Sequence, residues 1–153
     1  MTIEQTTGPV TPLLAVDILC EVYDQDGDYQ GIVTIERLNA PHGSALPGGF
    51  VDVGEGVLDA AVRECMEETG LRLFHPRVFG VYDDPDRDPR RHVVSVAVIG
   101  WAVGQPAAGD DAKTAGVYLP HEALCWTDWC FDHDQIVADY VETQTGALRS
   151  GSI

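Results

Sequence analysis

The chain has 153 residues, with 9 Lys and Arg against 25 Asp and Glu, a formal net charge of −16, 44% hydrophobic residues and 22% charged. That size and composition predict one globular domain with one buried core and exclude a disordered acidic tail. A surface this acidic repels nucleic acid and anionic membranes, so neither is expected as a partner, and an anionic substrate would need cations recruited to its site.

Residues 1–11 are polar, lack a basic region leading into an apolar one, and read as an N-terminal tail without an export signal. The domain is expected over 12–147, with a C-terminal tail over 148–153. No apolar run approaches the roughly 18 residues needed to span a bilayer, the longest, 93–103, being strand-like, so a cytoplasmic location is expected. A strand over 13–23, a turn at 24–28 and a strand over 31–38 form a hairpin signature. The turn Asp24-Gln-Asp-Gly-Asp28 resembles a calcium loop only in part. Its sixth position is Tyr29 instead of Gly and its twelfth Ile35 instead of Glu, so it reads as a polar turn. A breaker-rich loop over 39–49 leads to a short strand over 50–53.

Leu58, Ala61, Val62 and Cys65 recur at helical spacing and predict a helix over 56–69 with these residues on its buried stripe. Gly56 stands at the N-cap, Asp59 in the capping-box position, and Gly70 supplies the stop. Strands follow over 72–82 and 92–103, separated by a charged, Pro-containing loop, and a short strand over 115–119. A last helix over 132–143 carries Ile136, Val137 and Tyr140 on one face. The order predicts a single α+β domain with a mixed sheet. Cys20, Cys65, Cys125 and Cys130 form no CxxC pair and read as buried, reduced thiols without zinc-ligand spacing. Trp101, Trp126 and Trp129 read as core or interface residues.

The segment Arg63-Glu-Cys-Met-Glu-Glu-Thr-Gly70 puts Glu64, Glu67 and Glu68 on about a third of the helix circumference, beside the buried stripe. Glu64 and Glu68 repel as an i,i+4 pair, and Glu67 and Glu68 sit where the helix dipole disfavours anions. Local rules broken together point to a functional site. A divalent cation such as Mg²⁺ or Mn²⁺, held by hard carboxylate oxygens, would relieve the repulsion. A solvated acidic face is the alternative on the helix alone.

Gly49, Glu55, Arg63, Glu64, Glu67, Glu68 and Gly70, closed by Leu71, fill every fixed position of the pattern G-x5-E-x7-R-E-U-x-E-E-x-G-U, in which U is a bulky aliphatic. Only Cys65 departs, at an aliphatic position, and it remains small and apolar. Here the sequence resembles the Nudix hydrolases, over about residues 12–145. The resemblance implies an α/β/α sandwich whose catalytic loop–helix–loop holds divalent metal against a diphosphate. It makes Glu64 and Glu68 the principal metal ligands, with Glu67 assisting and the Gly48 carbonyl as a backbone ligand. It makes Arg63 and Glu55 a pair that fixes the helix against the preceding loop; a surface ion pair is the plain alternative for Arg63. The implied reaction is attack of water on one phosphorus of a diphosphate.

Tyr82-Asp-Asp-Pro-Asp-Arg-Asp-Pro-Arg-Arg-His-Val-Val-Ser95 places Arg87, Arg90 and Arg91, three of the nine basic residues, within five positions. It is similar to a segment of the ADP-ribose pyrophosphatase branch, departing at Asp83 and Arg91, where small residues are usual. The similarity makes Arg87, Arg90 and His92 candidates to contact phosphate or ribose; a solvated loop of Arg–Asp pairs is the alternative. Arg37 and His42, near the loop leading to Gly48, are further substrate candidates. Asp110 or Asp111 could supply a general base, or form a turn before a strand. Phe131-Asp-His-Asp134 reads as a core aromatic and a helix cap at Asp132.

The expected function is a Mg²⁺-dependent (or Mn²⁺-dependent) pyrophosphohydrolase of ADP-ribose or a similar nucleoside diphosphate sugar, acting as a homodimer by analogy. Alternatives are hydrolysis of NTPs, dNTPs, NADH or dinucleoside polyphosphates, and a ligand-sensing domain without catalysis.

Overall fold

The computed structural model describes residues 8–109 and 111–150, with side chains through residue 146. The expected tails over 1–11 and 148–153 therefore lie partly outside the described residues, as does Asp110 wholly. The elements are β1 (Leu13–Tyr23), β2 (Tyr29–Arg37), β3 (Ser44–Ala45), β4 (Gly48–Phe50), α1 (Val57–Thr69), β5 (Phe74–Tyr82), β6 (Val93–Val103), β7 (Ala112–Tyr118), α2 (Pro120–Ala123) and α3 (His133–Ser150).

Strand β1 organises the sheet. It runs parallel to β6 along its whole length, from Leu13 opposite Val93 to Tyr23 opposite Val103. Its other edge is shared: antiparallel β4 covers Ala15 to Asp17, and antiparallel β2 covers Glu21 to Tyr23. Strand β5 extends the sheet beyond β6, and β7 and β3 pair with β2. A strand covered on both faces reads as a near-continuous apolar run, which is why β1 was legible. Val16, Ile18, Cys20 and Val22 pack with Ala60, Ala61 and Cys65 of α1. Leu19 packs on the opposite face with Ile136, Val137 and Tyr140 of α3. The sheet thus lies between the two long helices, as the α/β/α sandwich requires.

The departures from expectation have local causes. Strand β4 begins at Gly48 because the two glycines pair with Asp17 and Val16, which propensity for turns obscures. Helix α3 passes through Gly146 to Ser150, and β7 begins at Ala112. Both β3, of two residues, and α2, a single turn opened by Pro120, are too short to leave a period. On α1, Leu58 is exposed instead of buried, and Ala60 takes its place inside. Gly56 is the N-cap, but no side chain caps it, so Asp59 closes no capping box. Gly70 ends the helix in the left-handed conformation at φ 70° and returns its amide to the Met66 carbonyl.

The Asp24 turn is held by its own carboxylate, Oδ1 accepting from the Asp26 and Asp28 amides at 2.9 Å each. Cys20, Cys65 and Cys130 are buried, Cys125 is exposed, and all four are free. Among the described residues no helix is long and apolar enough to cross a membrane.

Candidate active site

Strand β4 lays Gly48 and Gly49 over the carboxylate face of α1. The Gly48 amide donates to Glu68 Oε2 at 3.0 Å. A Cβ on Gly49 would collide with the Glu64 carboxylate, and one on Gly48 with the backbone of β1, so only glycine permits this approach.

Arg63 is the hub beneath this contact. Its Nε and Nη2 donate to the two oxygens of Glu55 at 2.7 and 2.9 Å. Its Nη1 donates to Glu64 Oε1 at 2.7 Å and Glu67 Oε2 at 3.3 Å, and Nη2 also reaches the Phe50 carbonyl at 3.1 Å. The Glu55 carboxylate, bonded first to Arg63 and then to the Asp52 amide, is held down at about 2. One guanidinium therefore ties the loop before α1 to the helix and offsets part of the glutamate repulsion. The helix end is relieved as well: the Glu68 and Thr69 carbonyls accept the Gly109 and Ala107 amides at 2.9 and 2.8 Å.

Glu68 gains less. It is 7% exposed, and burial pushes its carboxyl up to about 8 against the Gly48 amide and the Arg37 charge that favour the anion, with Glu64 and Asp111 adding repulsion. Burial also raises Glu64, with Arg63 opposing. A pair of carboxylates that resist ionisation side by side suits a cation that would take both oxygens.

These groups form one lip of a cleft of about 370 Å³. Gly48, Gly49, Glu64, Glu68 and Asp111 line that side; Asp17 and His133 lie deeper; Arg37, Arg87, Arg90 and Phe131 line the remainder. The Arg37 and Arg90 guanidiniums lie 5.1 and 5.4 Å from the centre of the Phe131 ring. Arg90 is shared with Asp88 through bonds of 3.0 and 2.8 Å. Arg37 donates through Nε to the Pro41 carbonyl at 2.9 Å and pairs with no carboxylate among the described residues.

Of the residues proposed from sequence, Arg37, Gly48, Glu64, Glu68, Arg87, Arg90 and Asp111 meet in the cleft. Glu55 and Arg63 stand behind it, and Glu67 is turned outward at 48% side-chain exposure. His92 and His42 are exposed and do not line the cleft. Arg87 is corrected in kind. Its side chain is buried, with Nε and Nη2 committed to Asp132 at 2.6–3.1 Å and Nη2 to Asp17 at 3.2 Å, so it braces the cleft instead of offering a free clamp. Asp132, expected as a helix cap, spends its carboxylate on Arg87.

Sequence reasoning missed Asp17 and His133. The first carried a signal, a charged residue in the middle of an apolar strand. Among the described residues no three His, Cys, Asp or Glu side chains already stand as a metal cage, since Glu64 and Glu67 lean on Arg63 and Glu68 on Gly48. The oxygen donors at this lip nevertheless fit a hard divalent cation.

A family model described as NUDIX domain matches residues 12–140. The chain is 42% identical to the ADP-ribose pyrophosphatase of Methanocaldococcus jannaschii, covering 88% of this chain and 76% of that protein. Among solved structures, a MutT/nudix family protein from Enterococcus faecalis superposes with a TM-score of 0.75 at 30% identity, covering 88% of this chain and 62% of that one. The NUDIX domain of Shewanella oneidensis NrtR, crystallised with ADP ribose, gives 0.77 at 22% identity, covering 88% and 90%, and shares the fold.

Proposed function

The chain belongs to the NUDIX domain family, and from that premise we propose that it hydrolyses the diphosphate bond of ADP-ribose or a closely related nucleoside diphosphate sugar. The observation that carries this reading is a single cleft lined both by Glu64 and Glu68, crowded against Gly48 and Gly49, and by Arg37 and Arg90 about the Phe131 ring. The 42% identity to an ADP-ribose pyrophosphatase supports the choice of substrate.

Glu64 and Glu68, with the Gly48 carbonyl, would hold Mg²⁺ or Mn²⁺, and Glu67 would join after releasing Arg63. Such an ion, when bound, neutralises phosphate charge and lowers the pKa of a coordinated water. Arg63 and Glu55 keep the glutamate helix in register with the glycine strand. Arg37 and Arg90 take the phosphate charge that the acidic lip cannot. Asp111, which lines the cleft, would accept the proton of the attacking water; the part of Asp110 lies outside the described residues. Water adds across the P–O–P bridge, one phosphorus gaining the hydroxyl oxygen and the other phosphate leaving with the bridging oxygen. ADP-ribose would give AMP and ribose 5-phosphate.

The same reading includes a homodimer, for which the exposed Val78 and Val81 on edge strand β5 offer a surface, and a cytoplasmic setting, in keeping with four free cysteines. A screen of ADP-ribose, NADH, dinucleoside polyphosphates and dNTPs, with Mg²⁺ or Mn²⁺ and chromatographic identification of products, tests the function. AMP formed fastest from ADP-ribose is the expected result. Preference for a triphosphate would replace the proposed substrate, and no turnover on any diphosphate would make the domain a binding module.

A further inference from the structure

The floor of the cleft carries two polar atoms that the hydrolysis does not use. His133 is 2% exposed. Its Nδ1 accepts the Leu46 amide at 2.9 Å, which puts the proton of the neutral ring on Nε2. That Nε2 stands 3.2 Å from Asp17 Oδ1 without the alignment of a hydrogen bond and has no other partner. Asp17 is filled on its other oxygen, where Oδ2 accepts Ser95 Oγ at 2.5 Å and Arg87 Nη2 at 3.2 Å. The floor thus presents a buried N–H whose nearest acceptor, Asp17 Oδ1, lies at 3.2 Å but out of line, and that oxygen keeps spare lone pairs. Buried donors are seldom left so.

The chemistry of the pair restricts its occupant. A phosphate oxygen accepts but does not donate, and Asp17 repels it. A hydroxyl donates to Oδ1 and accepts from Nε2–H together. An adenine edge offers a similar pair through its amino group and ring nitrogen, and position separates the two. Asp17 sits opposite Gly48 in the β1–β4 ladder. A Cβ on Gly48 would stand 2.8 Å from Asp17 Oδ1. Any group on this floor is a direct neighbour of the glycine–glutamate lip where the diphosphate lies. In a nucleoside diphosphate sugar the unit bonded to phosphate is the pentose, and the base is a full sugar further away.

We propose that Asp17 Oδ1 and His133 Nε2–H bind hydroxyls of a pentose joined directly to the diphosphate, and so select sugar-linked diphosphates over those lacking the hydroxyls. This rests on the reading of the cleft as a diphosphate hydrolase site. The pentose can come from the terminal sugar or from the nucleoside.

The test compares ADP-ribose with three analogues on the full chain: ADP methyl ester, which lacks the terminal sugar, 2′-deoxy-ADP-ribose, altered in the nucleoside sugar, and inosine diphosphate ribose, altered in the base. Loss of at least about tenfold in kcat/KM is expected for one of the first two, and that analogue names the pentose; the base analogue should stay within about threefold. His133→Asn keeps an acceptor for Leu46 and removes the Nε2–H, and should erase most of the sugar discrimination while leaving the base ratio unmoved. Equal rates on ADP-ribose and both sugar analogues, or a His133→Asn enzyme that alters the base ratio alone, would overturn the assignment. If His133→Asn does not fold, the wild-type series decides: a base effect equal to or larger than the sugar effect overturns it. Calorimetric binding of the same compounds with Ca²⁺ separates the two proposals. Sugar-dependent binding without hydrolysis would sink the activity and keep the pentose floor. Hydrolysis with equal binding of all four would do the reverse.

Discussion

Glu68 concentrates the conflict in this fold. It lies on the inner face of α1, 7% exposed, its backbone carbonyl engaged by Gly109 and its carboxylate met by one amide. Burial pushes it toward the neutral acid, a state that must release its proton before the carboxylate can take a cation. Its expected value lies in catalysis, not in stability. Glu68→Gln keeps size and the bond from Gly48, so kcat is expected to fall by at least about 10²-fold with the thermal midpoint unchanged or raised. Steady-state rates and a melting curve on the same preparation check this, and retained turnover in the folded variant would remove Glu68 from the ligand set.

At the scale of elements, the loop between β5 and β6 is held by Arg87, which ties it to β1 through Asp17 and to the start of α3 through Asp132. Removing one partner of a buried pair leaves the others uncompensated, at a cost of about 3–5 kcal/mol. Arg87→Ala is therefore expected to shift the urea midpoint strongly, while Arg91→Ala, on an exposed residue of the same loop, changes stability by no more than about 0.5 kcal/mol. Equal midpoints for the two variants would contradict the bracing role.

The same loop shows what a sequence can carry. Three arginines in five positions announced a functional loop, but nothing in the string tells which guanidinium faces a carboxylate 45 residues away. The glutamate helix was legible because its glutamates, its arginine and its glycine stop share one turn-by-turn period. Strands β1 and β6 were legible from near-continuous apolar runs. Asp17, Ser95 and His133 come from three separate elements and meet only through the parallel β1–β6 register and the docking of α3. Spacing along the chain does not encode such a meeting.

For the whole molecule, the net charge of −16 acts at long range. It draws divalent cations toward the cleft and pushes anionic nucleotides away, and both effects extend over roughly the Debye length. The apparent Kd for Mg²⁺ is expected to weaken severalfold between about 10 mM and about 150 mM KCl, because screening removes the attraction of distant carboxylates. Titration calorimetry at the two salt levels measures it. A Kd indifferent to salt would mean that only the carboxylates at the cleft hold the ion.

The strap formed by Ala107 and Gly109 against the end of α1 has a consequence for descent with modification. A Cβ at Gly109 would run into the Glu67 carbonyl, so strap and helix end are packed backbone against backbone. Insertions or deletions between Gly104 and Ala112 would displace the glutamates themselves. The loop at 83–92, apart from Arg87, Asp88 and Arg90, carries no such burden. Lineages that trade one nucleotide for another are expected to rewrite that loop freely and to leave the strap at constant length.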